Sequence, residues 1–216
     1  MSTLDAGTDP ATIQANLRHL PPPYLLRKYD ASVEDFEHIA DEDLRCEFID
    51  GVLIVHSPAS FQHEARLTFL TILVGSFVAS KRIGWVLGPN AVVQLGERRL
   101  CPDLSILKTE HADRIQNERV VGAMDLVVEM LSRSTRDYDL LEKRNLYRDG
   151  RIPEIWLLDA ERKEAHVDFL GDEEYQSETV KTGRIHSRVL PGLSVDVTWL
   201  WSDPLPNPLD CLSTAS

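Results

Sequence analysis

Residues 124–131 read Met124-Asp125-Leu126-Val127-Val128-Glu129-Met130-Leu131, and this stretch decides the interpretation of the chain. Its run of Val, Leu and Met is typical of a strand buried inside a domain. Glu129 interrupts that run, and a buried carboxylate without a partner is costly. Glu129 therefore either lies at the solvent end of the strand or has a metal ion, a basic side chain or strong hydrogen bonds as its partner.

A second apolar strand, predicted over Leu100 to Leu107, also contains an acidic residue. Pro102 cannot donate a hydrogen bond to a sheet, so it belongs at the start or the edge of a strand. Asp103 follows it directly and is free to leave the strand pairing and face a site. The sequence thus predicts two strand carboxylates, Asp103 and Glu129, that contribute to one site.

A helix predicted from about Thr135 to Arg148 contributes a basic side chain. Leu140, Lys143 and Tyr147 are spaced i, i+3 and i+7, which places Lys143 on the apolar face that packs against the sheet. Lys143 either runs along that face to reach solvent or points to the carboxylates. Two carboxylates and an inward lysine suit Mg²⁺ or Mn²⁺, because hard oxygen ligands hold these ions and the lysine offsets negative charge developing on a phosphate.

The remaining pattern predicts the fold class. Asp50-Gly51 between two apolar runs is the signal of a two-residue hairpin turn, and Glu47 then lies on its first strand. Ser60 is placed to cap a helix from Phe61 to about Ser80. Helix, hairpin, helix and strands in this order predict an α/β fold with a mixed central sheet flanked by helices. We expect a flexible N-terminal segment (1–27), a single domain (28–201) and a flexible tail (202–216).

The composition of the chain argues against some classes of function. The 216 residues include 35 acidic and 23 basic side chains, a net charge of −12, which argues against a protein that coats nucleic acid. It does not argue against an enzyme that meets a phosphodiester through bound metal ions. No signal peptide or membrane span is evident and the three cysteines show no C-x-x-C spacing, so we expect a cytoplasmic protein. Without a P-loop or dinucleotide-binding motif, no nucleotide cofactor is expected.

Several of these residues belong to a longer pattern. In chain order it comprises Glu47-Phe48-Ile49-Asp50-Gly51, His56-Ser57-Pro58-Ala59-Ser60 with His63, Pro102-Asp103, Val128-Glu129-Met130-Leu131-Ser132-Arg133-Ser134-Thr135 with Asp139, Lys143 and Tyr147, and Glu154-Ile155-Trp156-Leu157-Leu158-Asp159. Its order and spacing resemble the Uma-type family of "putative restriction endonucleases", within the PD-(D/E)XK nuclease superfamily. The resemblance covers about residues 30 to 201.

This resemblance implies a restriction-endonuclease-like core with its site at the mouth of the strands. By match to the superfamily motif, Asp103 and Glu129 would be ligands of Mg²⁺ or Mn²⁺. Glu47 corresponds to an additional acid that the family carries near its start and would bind a second ion. The backbone carbonyl of Met130 would add a further ligand.

The chain departs from the superfamily pattern at one position. A strict E-x-K element would have its lysine at position 131, where this chain has Leu131. We therefore assign the role of that lysine to Lys143 on the following helix. There it would orient the attacking water or stabilise the charged transition state.

The preferred hypothesis is a metal-dependent endonuclease that hydrolyses DNA phosphodiester bonds with a metal-activated water. Its catalytic residues would be Glu47, Asp103, Glu129 and Lys143. Its phosphate contacts would be Arg133, Arg136 and Arg144. A homodimer would allow both strands to be cut, and no membrane is involved. The alternative is a non-catalytic binding or assembly module with a nuclease fold, which the acidic charge and the missing E-x-K lysine favour.

Overall fold

The computed structural model describes residues 20–40 and 44–215, so most of the predicted N-terminal segment, residues 1–19, lies outside the described residues. In the described part the strands are β1 (Leu25–Lys28), β2 (Cys46–Ile49), β3 (Val52–His56), β4 (Gly84–Leu87), β5 (Val93–Leu95), β6 (Arg98–Leu100), β7 (Leu104–Lys108), β8 (Ile115–Gln116), β9 (Arg119–Val121), β10 (Leu126–Met130), β11 (Glu154–Asp159), β12 (Glu164–Leu170), β13 (Tyr175–Val180), β14 (Arg184–His186) and β15 (Ser194–Asp196). The α-helices are α1 (Val33–Ile39), α2 (Phe61–Lys81), α3 (Arg144–Asp149), α4 (Val197–Trp201) and α5 (Pro208–Ala215). A 3₁₀ segment spans Thr109–Arg114, and a π-helical turn over Tyr138–Lys143 leads directly into α3.

Two large sheets and one small sheet organise the described residues. The larger has seven strands in the order β1-β3-β2-β6-β5-β9-β8, the second has six in the order β13-β12-β11-β10-β7-β4, and β14 pairs with β15. In the six-stranded sheet β10 and β11 run parallel and the other neighbours run antiparallel. The predicted α/β class, with mixed sheets flanked by helices, is confirmed.

The alternation of side chains along β10 decides what each of its faces meets. Leu126 and Val128 join residues of α2 in one hydrophobic core. Val127 points the other way and joins Tyr147 of α3 and residues of the seven-stranded sheet in a second core. Glu129 is two residues after Val127, so it faces the space between the two large sheets.

The local signals of the sequence predict two elements correctly. Strands β2 and β3 pair with Ile49 opposite Val52, and Asp50 and Gly51 between them both have positive φ, as a two-residue hairpin turn of this class requires. Helix α2 begins directly after Ser60, whose hydroxyl accepts a hydrogen bond from a backbone N–H of the first turn. Both elements are confirmed.

The strand predicted over Leu100 to Leu107 is wrong as a single element. Strand β6 ends at Leu100 in the seven-stranded sheet, and β7 begins at Leu104 in the six-stranded sheet. Pro102 explains the break, because it lacks the N–H that a continuous ladder needs. The three residues between these strands, which include Asp103, therefore carry the chain from one sheet to the other.

Both ends of the described chain pack into the protein more than the sequence predicts. Leu26 of β1 is buried beside Phe36, although residues 1–27 were expected to be flexible. Helix α5 falls within the predicted flexible tail and buries Cys211 in the core that α2 covers. Burial of these apolar side chains stabilises both ends. The division into one domain with two terminal segments stays a prediction.

In the part of the chain described here, no helix has the length and apolar character needed to cross a bilayer.

Candidate active site

Asp103 lies at the crossing between the two large sheets and is 3% exposed. Its Oδ2 accepts a hydrogen bond from the backbone N–H of Met130 over 2.7 Å, and Nε2 of His63 lies 3.3 Å from the same oxygen. The pairing of β7 with β10 reaches only to Leu104 opposite Val128. The Asp103 carboxylate therefore takes the place of a strand partner at the end of β10.

Glu129 is the next-to-last residue of β10 and is 1% exposed. Its Oε1 lies 2.5 Å from Nζ of Lys143 and accepts a hydrogen bond from the hydroxyl of Tyr147. Its Oε2 accepts no hydrogen bond from any residue that the structure describes, and Nη2 of Arg45 lies 3.9 Å from it. Oε1 of Glu129 is thus held by Lys143 and Tyr147, whereas Oε2 is available to bind a ligand.

Lys143 connects the two large sheets. Its fully buried Nζ lies 2.5 Å from Oε1 of Glu129, in the six-stranded sheet, and 3.0 Å from Oε1 of Glu47, in the seven-stranded sheet. It also donates a hydrogen bond to the carbonyl of Cys101 over 3.4 Å. The predicted inward orientation of Lys143 is confirmed.

The π-helical turn explains why several polar side chains of one helix face this cluster. Tyr138, Asp139 and Lys143 are all buried within it. An α-helix would put residues 138 and 143 on different faces, whereas the wider π-helical turn brings residues five apart toward the same side. Turns of this kind are frequent at functional sites.

Glu47 lies in β2, faces the six-stranded sheet and has both oxygens occupied. Its Oε1 contacts Lys143 and accepts a hydrogen bond from the backbone N–H of Cys101 over 2.8 Å. Its Oε2 lies 2.7 Å from Nε2 of His56 and accepts a hydrogen bond from the hydroxyl of Tyr138 over 2.6 Å. These four contacts suit a residue that anchors Lys143.

Arg45, just before β2, joins the two carboxylates on the other side. Its Nη1 donates to Oδ1 of Asp103 over 2.6 Å, and its Nη2 donates to the carbonyl of Cys101 over 2.5 Å. The same Nη2 is the atom 3.9 Å from Oε2 of Glu129. The guanidinium therefore bridges Asp103 and Glu129.

Burial and neighbouring charges set the protonation of these groups. Burial raises the pKa of Glu129 to about 7, although the charge of Lys143 acts against this rise. Burial also acts to raise the pKa of Asp103, but the charge of Arg45 and the contact with His63 outweigh it and hold that pKa well below its usual range. Burial acts to lower the pKa of Lys143, but the neighbouring carboxylates outweigh it and raise that pKa above its ordinary value. Lys143 is therefore charged and Asp103 is ionised at neutral pH.

A cavity of about 270 Å³ opens over the two carboxylates, and both line it. Arg45, His63 and Met130 are also in its wall. A cavity of this volume has room for several water molecules, since each needs about 10–15 Å³ of such space. Glu47 and Lys143 are fully buried and lie behind the residues that line it.

The three arginines expected to contact phosphate lie in different surroundings. Arg133 lines the cavity, and its side chain is 84% exposed beside an exposed glutamate. Arg136 is paired with buried Asp159, and Arg144 with buried Asp168 at 2.7 Å. Of these three guanidinium groups, only that of Arg133 is in the cavity lining, so Arg133 alone stays a candidate for a phosphate contact.

A separate group of possible metal ligands lies at the other end of β10. Among the described residues, Glu110, His111 and Asp125 have ligand atoms within 4.8 Å of one another. Local contacts account for them: Asp125 accepts a hydrogen bond from the backbone N–H of Lys108 over 2.7 Å and lies 2.9 Å from Nδ1 of His111. The carboxylate of Glu110 is paired with the Lys108 ammonium at 2.8 Å. No pattern in the sequence predicted this group.

The sequence did not predict that Arg45 and Tyr138 join the cluster formed by Glu47, Asp103, Glu129 and Lys143, and it assigned no role to His56, although His56 is part of the Uma-type pattern. His56 ends β3, beside the strand of Glu47, so strand alternation in the predicted hairpin was a usable signal. Tyr138 had no such signal, because its inward position depends on the π-helical turn. Arg45 contacts Asp103, 58 residues further along the chain, and no local pattern encodes that contact.

Comparisons with known proteins agree with the fold and with the family that the sequence pattern resembles. The Uma2 family model, described as "Putative restriction endonuclease", matches residues 33–198. One solved structure with a similar fold is described as a "putative nuclease belonging to DUF820 from Anabaena variabilis ATCC 29413", with 17% sequence identity, a TM-score of 0.61, and coverage of 79% of this chain and 97% of that one. At this identity the likeness shows a shared fold alone. No curated protein matches the chain. Because the family model spans most of the chain, the protein belongs to the Uma2 family of putative restriction endonucleases.

Proposed function

We propose that this protein is a divalent-metal-dependent endonuclease that hydrolyses DNA phosphodiester bonds in the cavity above Asp103 and Glu129. Membership of the Uma2 family supports a nuclease function in general. The observation that carries the finer proposal is the convergence of two buried carboxylates on one cavity, one from the crossing between the sheets and one from β10.

The chemistry of the donor set fits a hard cation. Mg²⁺ and Mn²⁺ prefer oxygen ligands, and Asp103, Glu129 and Met130 all line the cavity. Within the described part of the chain no donor is bonded to Oε2 of Glu129, so this oxygen is available. Asp103, Glu129 and the Met130 carbonyl would hold the ion. Glu47, with both oxygens occupied, fits poorly as a ligand of a second ion. A bound ion supplies polarisation of the phosphate and a lowered pKa for a coordinated water.

Lys143 serves this site by positioning Glu129. Its ammonium has no exposed surface and lies 2.5 Å from Oε1 of Glu129, behind the cavity wall. The hydroxyl of Tyr147 bonds the same oxygen, so both contacts fix how the carboxylate faces the cavity. His63, in the first turn of α2, restrains Asp103 in the same way. Fixing ligand geometry in advance removes a cost that would otherwise accompany binding and reaction.

The experiment compares two buried aspartates. Asp103 and Asp125 are 3% and 2% exposed, but only Asp103 lines the cavity. We expect the wild-type protein and Asp125→Asn to nick supercoiled plasmid with Mg²⁺, and Asp103→Asn to lose at least about 100-fold in rate, the size of effect seen when a group that stabilises transition-state charge is removed. Full cleavage by correctly folded Asp103→Asn would overturn the assignment of the site.

The alternative is a non-catalytic module with the nuclease fold. One observation favours it: Asp103 and Glu129 already have basic partners, Arg45 at 2.6 Å from Asp103 and Lys143 at 2.5 Å from Glu129. The same assay separates the two functions. Absence of cleavage of duplex and single-stranded DNA by the wild-type protein, with Mg²⁺ and with Mn²⁺, would favour the module. The homodimer and the cytoplasmic location stay predictions.

A further inference from the structure

Arg45 contacts the oxygens of Asp103 and Glu129 that no other contact has taken. On Asp103, Oδ2 is held by Met130 and His63, while Oδ1 receives Nη1 of Arg45 over 2.6 Å. On Glu129, Oε1 is held by two neighbours from the helical segment, while Oε2 has Nη2 of Arg45 at 3.9 Å. The guanidinium therefore faces one open oxygen on each carboxylate, and an ion bound to both residues would use the same pair.

The charges around Asp103 and Glu129 also indicate that Arg45 and a divalent cation would occupy the same position. Glu47, Asp103 and Glu129 are three carboxylates; Lys143 and Arg45 contact them, and His56 and His63 contact Glu47 and Asp103. Without the charge of Arg45, the three carboxylates would face one ammonium group and two imidazoles. That excess of negative charge favours a divalent cation, whereas a guanidinium held between the two ligands repels one.

Arg45 also has a route away from this position. Its side chain is 21% exposed and lines the cavity, unlike Lys143, which is fully buried. Its Nε is buried and has no hydrogen-bond partner among the described residues. A turn of the side chain into the cavity would therefore break only the contacts of Nη1 and Nη2.

We infer that Arg45 competes with the divalent cation for Oδ1 of Asp103 and Oε2 of Glu129, and so sets the metal affinity of the site. Arg45 is a positioning residue: it holds the two carboxylates in place, and its side chain turns into the cavity when the ion binds them. The inference rests on the proposed function, because it takes Asp103 and Glu129 as the metal ligands.

The test is calorimetric titration of Mn²⁺ into the wild-type protein, Arg45→Met and Arg148→Met, without nucleic acid. Met keeps much of the apolar length of Arg45 and removes its charge. Arg148 is a matched control, because its side chain is 30% exposed and also holds a buried aspartate, Asp168, away from the cavity lining. We expect Arg45→Met to lower the Kd for Mn²⁺ by about tenfold or more, since one opposing charge close to the ion is removed, and Arg148→Met to leave it unchanged.

The outcomes separate this inference from the proposed function. If the wild-type protein binds Mn²⁺ and folded Arg45→Met binds it with equal or weaker affinity, competition by Arg45 is wrong and the metal site stands. If neither protein binds Mn²⁺, the metal-dependent function fails and this inference fails with it. If circular dichroism shows that Arg45→Met is unfolded, Arg45→Lys decides. Its shorter side chain cannot span both carboxylates, so tighter binding than wild type supports competition and equal or weaker binding overturns it.

Discussion

The two ends of strand β10 both carry buried carboxylates, yet they are built differently. Before the strand, Asp125 takes its contacts from Lys108 and His111, which lie 17 and 14 residues earlier in the chain. At the end of the strand, Glu129 contacts a lysine and a tyrosine of the following helical segment, and that lysine reaches across to Glu47 in the other sheet. The first group is local, and the second joins three parts of the fold.

The difference shows how a stabilising carboxylate is distinguished from a functional candidate. Both oxygens of Asp125 have partners, and the residue is not in the cavity wall. Glu129 keeps one oxygen without a hydrogen bond from the described residues, and it lines a cavity. A carboxylate that is buried at such cost and lines a cavity without full use of its hydrogen-bonding capacity is a candidate ligand. Membership of the Uma2 family agrees with a nuclease site, and the contacts locate our candidate at this end of β10.

The largest effect on stability is expected from replacing Lys143, at the end of β10 that carries Glu129. Lys143→Met leaves the carboxylates of Glu47 and Glu129 without their shared counter-ion, and we expect it to lower the free energy of unfolding by about 3–5 kcal/mol. Lys108→Met is the control at the other end, because its ammonium pairs with exposed Glu110. Urea unfolding should show little change for this variant. Equal losses for both variants would contradict the contrast between the two ends.

A smaller effect is expected at Asp125. Asp125→Asn weakens a charge-assisted hydrogen bond to the Lys108 N–H and the contact with His111, so we expect a loss of about 1–3 kcal/mol in unfolding free energy. Cleavage of plasmid DNA with Mg²⁺ should be unchanged at a temperature where the variant is folded. A folded variant that no longer cleaves would mean that the active site lies at the Asp125 end of β10 and not at the Glu129 end.

The smallest effect on stability is expected at Arg133. Its ion pair with Glu161 is exposed, and exposed pairs contribute at most about 1 kcal/mol, so Arg133→Gln should unfold as the wild type does. Because Arg133 lines the cavity, the variant should bind DNA more weakly in Ca²⁺, with a salt dependence reduced by about one charge. Arg162→Gln, exposed and outside the lining, is the control. Identical DNA affinities for the two variants would remove Arg133 from the binding surface.

Local signals account for the elements that the sequence predicts well. The Asp50-Gly51 turn and the Ser60 cap each depend on residues close together in the chain, and both are present in the structure. Lys143 also faces inward as its spacing predicts, although a π-helical turn and not an α-helix covers Tyr138–Lys143. The buried carboxylate in β10 is also visible from its apolar neighbours.

The features that the sequence does not predict depend on contacts between distant segments. The chain changes sheets between Leu100 and Leu104, although the residues on both sides read as one apolar run. Arg45 meets Asp103 only because the two sheets come together, and Tyr138 faces inward only because a π-helical turn replaces an α-helical one. Periodicity fixes which face a residue lies on, but not which segment covers that face.

The most direct test of the central claim is titration of Mn²⁺ into Glu129→Gln and Asp125→Asn by calorimetry, beside the wild type. Both replaced side chains are buried carboxylates of the same strand region, and each amide keeps the size of the acid it replaces. We predict that Asp125→Asn binds Mn²⁺ as the wild type does and that Glu129→Gln loses binding. Retained binding in folded Glu129→Gln, together with loss in folded Asp125→Asn, would contradict the account and move the metal to the opposite end of β10.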